Sequence, residues 1–547
     1  MSSAPGRAHR DVLFVGLVTA LTVALQQTGL GFYSDDWGII ANFEFSPDRT
    51  LEGLFRVLYA DSQTQMRPGQ VLYLAALYAT FGVQPQGYHI VNGIVIVSTG
   101  LLLYAVLREL RVPRSLSVAV SIVYAVLPHY STARLWYASF QACLSMALYL
   151  GSLLAGLRSL RSAGWRASSL QALSVLALVT STLLYEVALP LFGLNAAVYA
   201  LQGRGAAEHA GSGKANRWSG LPLAIATMGA MVAVAAFKAL ASTRTTMPSA
   251  EYIIGMVKQA LKINLWTYGL ALPRTLWRAV PEVPAGSILA AGALLAAITL
   301  YLRRVNREDR DENLDSAALR LVGWGSLVAL AGHLVFLTNN IGLSPTGANN
   351  RVHVAAALGV AMIWAGLLAW IAQPGRLLAR ASVYSALLAV LAVAFFLIST
   401  RLSASWVAAA RQQEVVLAAM KQAFPTLPPR STLLLDGVCR YDGPGIIFEA
   451  YWDIGGALRL QYRDTTLQAN IVSRSLTVAE DGIRVVLYGG ESLYEYGGDP
   501  LFMFNARRAT IHRIGNATAA HEYFARYNPD RSSGCLTGRE GHGTRLF

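Results

Sequence analysis

The sequence predicts a polytopic α-helical membrane protein of about eleven transmembrane helices, followed by a small C-terminal α/β domain outside the membrane. Three observations carry that prediction. The 547 residues are 54% hydrophobic and only 14% charged, with a mean hydropathy of +0.41. Apolar runs long enough to cross a hydrocarbon core of ~30 Å recur through residues 1–400. Beyond a short Pro-containing linker, brief alternating runs replace them, the period of strands.

The spans fall near 12–31, 88–107, 116–132, 139–157, 169–185, 187–203, 221–241, 284–302, 320–338, 352–372 and 381–400. The 169–203 stretch is divided at Tyr185-Glu186, because one uninterrupted helix there would reverse every later span. With Arg7 and Arg10 on the cytoplasmic side, alternate loops carry Arg108, Arg111 and Arg114; Arg158, Arg161 and Arg166; Arg204, Lys214 and Arg217; Arg303, Arg304, Arg307 and Arg310; and Arg376 and Arg380. Every short loop on that side is basic, which fixes the orientation by the positive-inside rule. The first apolar run is long enough to span and lacks a convincing cleavage pattern, so it is expected to stay as an anchor.

The same rule accounts for the net charge of +14 and a pI near 9.7, so no nucleic-acid partner is needed to explain them. The outer side then receives loops 33–87, 133–138, the turn at Glu186, 242–283, 339–351 and everything after 401. In the first loop, MRPGQVLYLAALYATFG places Pro68 at the start of a helix lying on the membrane surface, with a short span as the alternative. After the last span, 401–427 reads as an amphipathic helix and linker, and 428–547 as the α/β domain, with STLLLDGV, GIRVVLYGG, ESLYEY and ATIHRI as strands around the helical IIFEAYWDIGGALRLQY. Of the three cysteines, Cys143 lies in a span, whereas Cys439 and Cys535 lie in this domain. A bridge between those two would close a loop of roughly 100 residues and add about 4–5 kcal/mol in the chain-entropy description. Two unpaired thiols are the equal alternative.

No Gly-rich phosphate loop, metal-spaced Cys/His cluster or nucleophile elbow is present. Instead, polar residues gather at one membrane face: Asp35, Asp36, Arg67, His89, His129, Arg134, Glu186, Lys258, Lys262, Arg274, Arg278, Asn349, Asn350 and Arg351. Cations on the face that should be poor in them point to an anionic ligand there. Lys258 and Lys262 are four apart and share one helical face suited to a lipid phosphate, although ordinary interfacial snorkelling is the simpler account of them. A divalent ion across Asp35 and Asp36 stays open, but adjacent side chains without a third ligand are a weak metal signal. Ser34 and Asp35 capping a helix that starts near Trp37 is the plain alternative to catalysis.

FYSDDWGII, then RPGQVLYLAALYATFG, then GYHIVNGIVIVSTGLLLYAVLREL, with PHYSTARLWYASFQACL and STLLYEVALPLF after them, resemble the N-terminal part of integral-membrane glycosyltransferases of the GT-C fold, the superfamily of polyprenyl-phosphate-sugar-dependent mannosyl- and arabinosyltransferases. The resemblance spans roughly the first 200 residues. It implies a lipid-phosphate sugar donor, a glycan, lipid or protein acceptor at the outer face, and a catalytic aspartate in the first outer loop. On this reading Asp35 is the general base and Asp36 its orienting neighbour. Arg67 and Arg351 join Lys258 and Lys262 as donor-phosphate ligands, and Trp37, His89, His129, Arg134 and Glu186 line the substrate cavity. A carboxylate can take the proton of an attacking hydroxyl, while the lipid phosphate leaves as a stable anion and needs no acid. Two rivals stand beside this: a lipid-linked glycan transporter or flippase, which would place charged or helix-breaking residues near mid-span in an inverted repeat, and a non-catalytic membrane scaffold.

Overall fold

The computed structural model describes residues 5–209, 220–241, 249–308, 314–338, 341–372, 377–488 and 490–530. Its membrane part comprises α1 (Pro5–Gln27), α2 (Asp35–Glu44), α3 (Leu51–Tyr59), α4 (Pro68–Phe81), α5 (Pro85–Glu109), α6 (Arg114–Val126), α7 (Ser131–Leu135), α8 (Phe140–Ser159), α9 (Gly164–Leu184), α10 (Leu191–His209), α11 (Leu221–Ala241), α12 (Ala250–Leu261), α13 (Leu272–Ala279), α14 (Ala285–Glu308), α15 (Leu314–Leu334), α16 (Ala356–Ile371) and α17 (Leu377–Ala423). The C-terminal domain follows as β1 (Thr432–Asp436), β2 (Tyr441–Asp442), β3 (Gly445–Ile446), α18 (Tyr451–Tyr462), β4 (Gln468–Ile471), β5 (Leu476–Val478), β6 (Gly482–Leu487), β7 (Gly490–Glu495), β8 (Leu501–Asn505), β9 (Thr510–Arg513) and α19 (Ala517–Tyr527).

Among the described residues, eight helices are long and apolar enough to cross a membrane, and nine if α6 with the bent Pro128–Leu135 segment, 45° off its axis, counts as one. Eleven was the sequence expectation. Two of the expected spans do not meet both conditions: α16 is apolar but only 16 residues long, and α10 is not among the helices that pass. The break at Tyr185 is present, for that residue is extended (φ −160°) and a 3₁₀ turn at Glu186–Ala188 separates α9 from α10. Large apolar side chains face outward along the bundle, among them Leu17, Ile90, Ile94, Leu289 and Leu330, while α6 is buried along its whole length. That inside-out distribution suits a bundle solvated by lipid. One end is tied by Asp11, whose carboxylate accepts from Arg114 at 2.6 and 2.7 Å and from the hydroxyls of Tyr104 and Tyr301.

Two expectations are revised by packing. The proposed surface helix is α4, which has Pro68 at its first turn as expected but buries Val71, Leu74 and Leu77 in a cluster with Ile40, Phe43 and Leu54, so it covers α2. The last span and the amphipathic helix are one element, α17, 47 residues long. Nothing in 401–423 breaks a helix, and both flanks of that stretch find partners. Tyr33 donates its hydroxyl to Trp406 O at 2.9 Å on one flank, and Gln413 donates to Ile447 O at 2.6 Å on the other.

In the C-terminal domain β1 is the middle of a sheet ordered β4-β1-β8-β9, parallel except at β8–β9. Its run Thr432–Asp436 is buried throughout because both faces are covered. Leu433 and Leu435 pack towards α17 and α18, and Leu434 towards α19 and the three-stranded β5-β6-β7 sheet. Cys439 is disulfide-bonded and Cys143 is free; Cys535 lies outside the described residues.

Candidate functional site

The loop after α1 delivers Ser34, Asp35 and Asp36 to the end of the bundle remote from Asp11, and the two acids take different places there. Asp36 is fully buried. Its Oδ2 accepts the Tyr33 N–H at 2.9 Å and its Oδ1 the Ala138 N–H at 2.8 Å, so it fastens the turn before α8 to the start of α2. Burial pushes its carboxyl well above the usual range against the pull of those two N–H groups. The capping alternative is thereby corrected. The helix begins at Asp35 rather than near Trp37, and Ser34 at its N-cap makes no side-chain cap; Asp36, inside the first turn, instead accepts the N–H of Tyr33 just ahead of the helix.

Asp35 keeps exposed surface while protein surrounds it on most sides, the situation of a carboxylate in a recess rather than on a convex face. Those surroundings raise its pKa to about 6. Burial contributes most, Arg351 opposes it, and Glu449 adds to it. Arg351 stacks its guanidinium on Trp136 at 4.8 Å, an aromatic partner distant in the sequence. It is set in place by Asn350, whose Oδ1 accepts from the Ser131 hydroxyl and the Thr132 N–H, both at 3.1 Å, and whose Nδ2 donates to Pro345 O at 2.7 Å.

Glu449 comes from the C-terminal domain. Its Oε1 accepts the Ser34 hydroxyl and its Oε2 the hydroxyls of Tyr441 and Tyr488, each at 2.7 Å. Arg440 bonds the Glu449 carbonyl and the Tyr488 hydroxyl, and Trp452 packs against the Tyr488 ring at 5.3 Å. The loop and this domain are brought so close by glycine: a Cβ on Gly456 of α18 would collide with the backbone of Trp37, and one on Gly38 would lie 3.3 Å from Trp452 O. Sequence reasoning missed this whole group. The only signal was compositional, a Glu, a Trp and several Tyr around a Gly-Gly pair in one helical stretch.

The remaining candidates separate into groups. Arg67 holds Glu186 with both arms of its guanidinium, stacks on Tyr185 at 4.6 Å, and shares Glu186 with Lys238 at 3.4 Å. Burial disfavours the Glu186 charge, but Arg67 and Lys238 outweigh it and hold the carboxyl down at about 2. Arg67 therefore does not stand free for a phosphate. Arg134 is 2% exposed and donates to Ala125 O at 2.8 Å and Leu127 O at 2.5 Å, bridging the kink after α6. That burial corrects its placement in a substrate cavity. His129 bonds Asn264 Oδ1 at 3.0 Å inside the bundle, and His89 contacts Gly31 O at 3.3 Å behind the loop; both are likewise buried. Trp37, on the first turn of α2, is half-buried against the C-terminal domain and edge-on to Phe32. Lys258 and Lys262 are exposed on α12 and the π-helical turn after it, beside exposed Trp266 and Leu265. Among the described residues no group of three or more His, Cys, Asp or Glu is placed to hold a metal ion. Asp36 has both oxygens occupied by main-chain N–H groups, which leaves the acidic pair poorly suited to share one.

No protein-family model matches the sequence, and no curated protein is found similar to it. Solved structures are, among them two of one protein. ArnT from Cupriavidus metallidurans in the apo state has 14% identity and a TM-score of 0.36, covering 83% of this chain and 84% of that one. The same protein bound to undecaprenyl phosphate has 14% identity and a TM-score of 0.35, covering 85% and 86%. At that identity and with TM-scores below 0.5, the likeness assigns neither fold nor activity to this chain.

Proposed function

We propose that this chain is a multi-pass membrane glycosyltransferase that moves a sugar from a polyprenyl-phosphate donor to an acceptor hydroxyl at the outer face of the plasma membrane, with inversion, Asp35 acting as general base. The observation that carries the reading is the division of labour between the adjacent acids: Asp36 is locked into the backbone while Asp35 is left reachable, with a pKa of about 6. A carboxylate poised there is mostly ionised at neutral pH yet basic enough to take a proton in a transition state.

In this mechanism the acceptor hydroxyl attacks the anomeric carbon as Asp35 accepts its proton, and the bond to the lipid phosphate breaks on the opposite side of the sugar. Arg351, held rigid on Trp136, meets the charge that develops on the departing phosphate. Lys258 and Lys262 meet the lipid headgroup at the interface. Tyr441, Tyr488 and Trp452 offer hydroxyls and ring faces to an acceptor, so the C-terminal domain takes part in acceptor binding. The basic loops at the Asp11 end support a cytoplasmic N-terminus and an extracytoplasmic C-terminal domain.

The test uses protein in lipid nanodiscs, incubated with a panel of polyprenyl-phosphate sugars and an extract of glycan, lipid and protein acceptors. Transfer and polyprenyl-phosphate release are followed in wild type and in Asp35→Asn. Transfer that disappears in the variant while donor binding persists is expected. A folded protein that neither binds nor consumes any donor overturns the proposal and favours the transporter or scaffold.

A further inference from the structure

At the Asp11 end of the bundle a cleft of about 370 Å³ opens between α5, α8, α10, α15 and α16, within the ~300–1,000 Å³ typical of ligand sites. It runs from the turn between α5 and α6, where Arg111 stands, to Tyr149 and Asn195 near the middle of α8 and the start of α10. Leucines and valines dominate its wall; on α10 Leu194, Val198 and Leu201 recur at helical spacing and present one apolar stripe.

Two features distinguish it from a packing fault. Arg111 and Arg320 both line it and both are exposed, and neither forms an ion pair among the described residues. At the deep end Asn195 is 1% exposed; its Oδ1 accepts the Tyr149 hydroxyl at 2.8 Å, and its Nδ2 bonds no group among the described residues.

We propose that the cleft is a binding site for an anionic phospholipid of the leaflet opposite Asp35, one acyl chain lying along the Leu/Val wall and the phosphate meeting Arg111 and Arg320. An apolar slot that stays empty forfeits its dispersion contacts, and a lipid supplies an apolar chain and an anion in one molecule. A peptide segment fits less well, since its backbone groups would go unpaired beside these side chains. The site is independent of transfer chemistry, because it lies at the other end of the bundle from Asp35.

The experiment is native mass spectrometry of the full-length protein released from nanodiscs of phosphatidylcholine with a minor fraction of phosphatidylglycerol. Wild type is expected to retain one phosphatidylglycerol. Two membrane-surface cations each contribute about a factor of five, so Arg111→Gln with Arg320→Gln should lower phosphatidylglycerol affinity about thirty-fold. Leu153→Trp, which fills the wall without touching charge, should abolish retention. Retention of phosphatidylcholine in equal measure, no retained lipid in wild type, or undiminished retention by the double arginine variant would each overturn the proposal. Should Leu153→Trp fail to fold, the arginine variant decides.

Discussion

Asparagine at position 35 and asparagine at position 36 should have opposite consequences, although the substitutions are chemically identical and adjacent. Asp35 has a folded-state pKa of about 6, above the ~3.9 of an unfolded aspartate. The stability linked to this group is therefore present at low pH and is lost as pH rises through about 6. At pH 7 the ionised carboxylate opposes folding, so Asp35→Asn should leave the unfolding temperature unchanged or raise it while lowering transfer by ~10²–10⁴, the range for a positioned general base. Asp36 receives two main-chain N–H groups, at 2.9 and 2.8 Å, on separate oxygens of a fully buried carboxyl. An asparagine accepts through one oxygen and turns its NH₂ towards the other N–H, orphaning a buried donor at a cost of about 1–3 kcal/mol. Asp36→Asn should thus lower the unfolding temperature and retain part of its activity. Tryptophan-fluorescence melts at pH 7, beside transfer rates in nanodiscs, read both quantities. Full activity in Asp35→Asn, or an inactive Asp36→Asn with an unchanged melt, would refute the assignment.

Three further outcomes follow from the same geometry. Transfer rate should fall below pH 6, about tenfold by pH 5, with one proton taken up; Arg351→Gln should move that limb to higher pH and Glu449→Gln to lower pH, since the first opposes and the second adds to the raised pKa. Arg67→Met should destabilise the protein towards the low end of the ~3–5 kcal/mol for breaking a buried pair, because Lys238 still reaches Glu186 at 3.4 Å; a melt indistinguishable from wild type would exclude that role. Gly456→Val should raise the acceptor KM with donor binding intact, as the added side chain pushes α18 off the Trp37 backbone, and an unchanged acceptor KM would count against a platform on the C-terminal domain.

Elements with a local signal were legible in the sequence. The spans, the break at Tyr185-Glu186, the Pro68 helix start and strands such as β1 and β6 each announce themselves through hydropathy, period or a breaker residue. The acidic pair was legible as a candidate site, but not the difference between its members, which depends on Ala138 reaching back across 102 positions of chain. Arg134 and His129 looked like cavity residues because sequence shows that a polar group lies near an interface and not which way it turns; both turn inward to neighbouring carbonyl or amide oxygens. Arg67 and Glu186 were each recognised as polar outliers, while their partnership across 119 positions was not written in either segment. The Glu449 cluster was invisible for the same reason, since Ser34 and Glu449 are 415 positions apart.

The 47 residues of α17 form a rod of ~70 Å, more than twice the hydrocarbon thickness. Along one stretch it holds the loop that carries Asp35, through Tyr33 and Trp406, and along the next it holds the C-terminal domain, through Gln413, Leu417 and Met420. Both halves of the candidate site are thus indexed to one set of helical turns, as two fittings are indexed to a common shaft. Each residue added between those stretches would advance the outer fitting by ~1.5 Å and rotate it by ~100°, so this segment acts as a gauge whose length and phase are constrained even where its side chains are not.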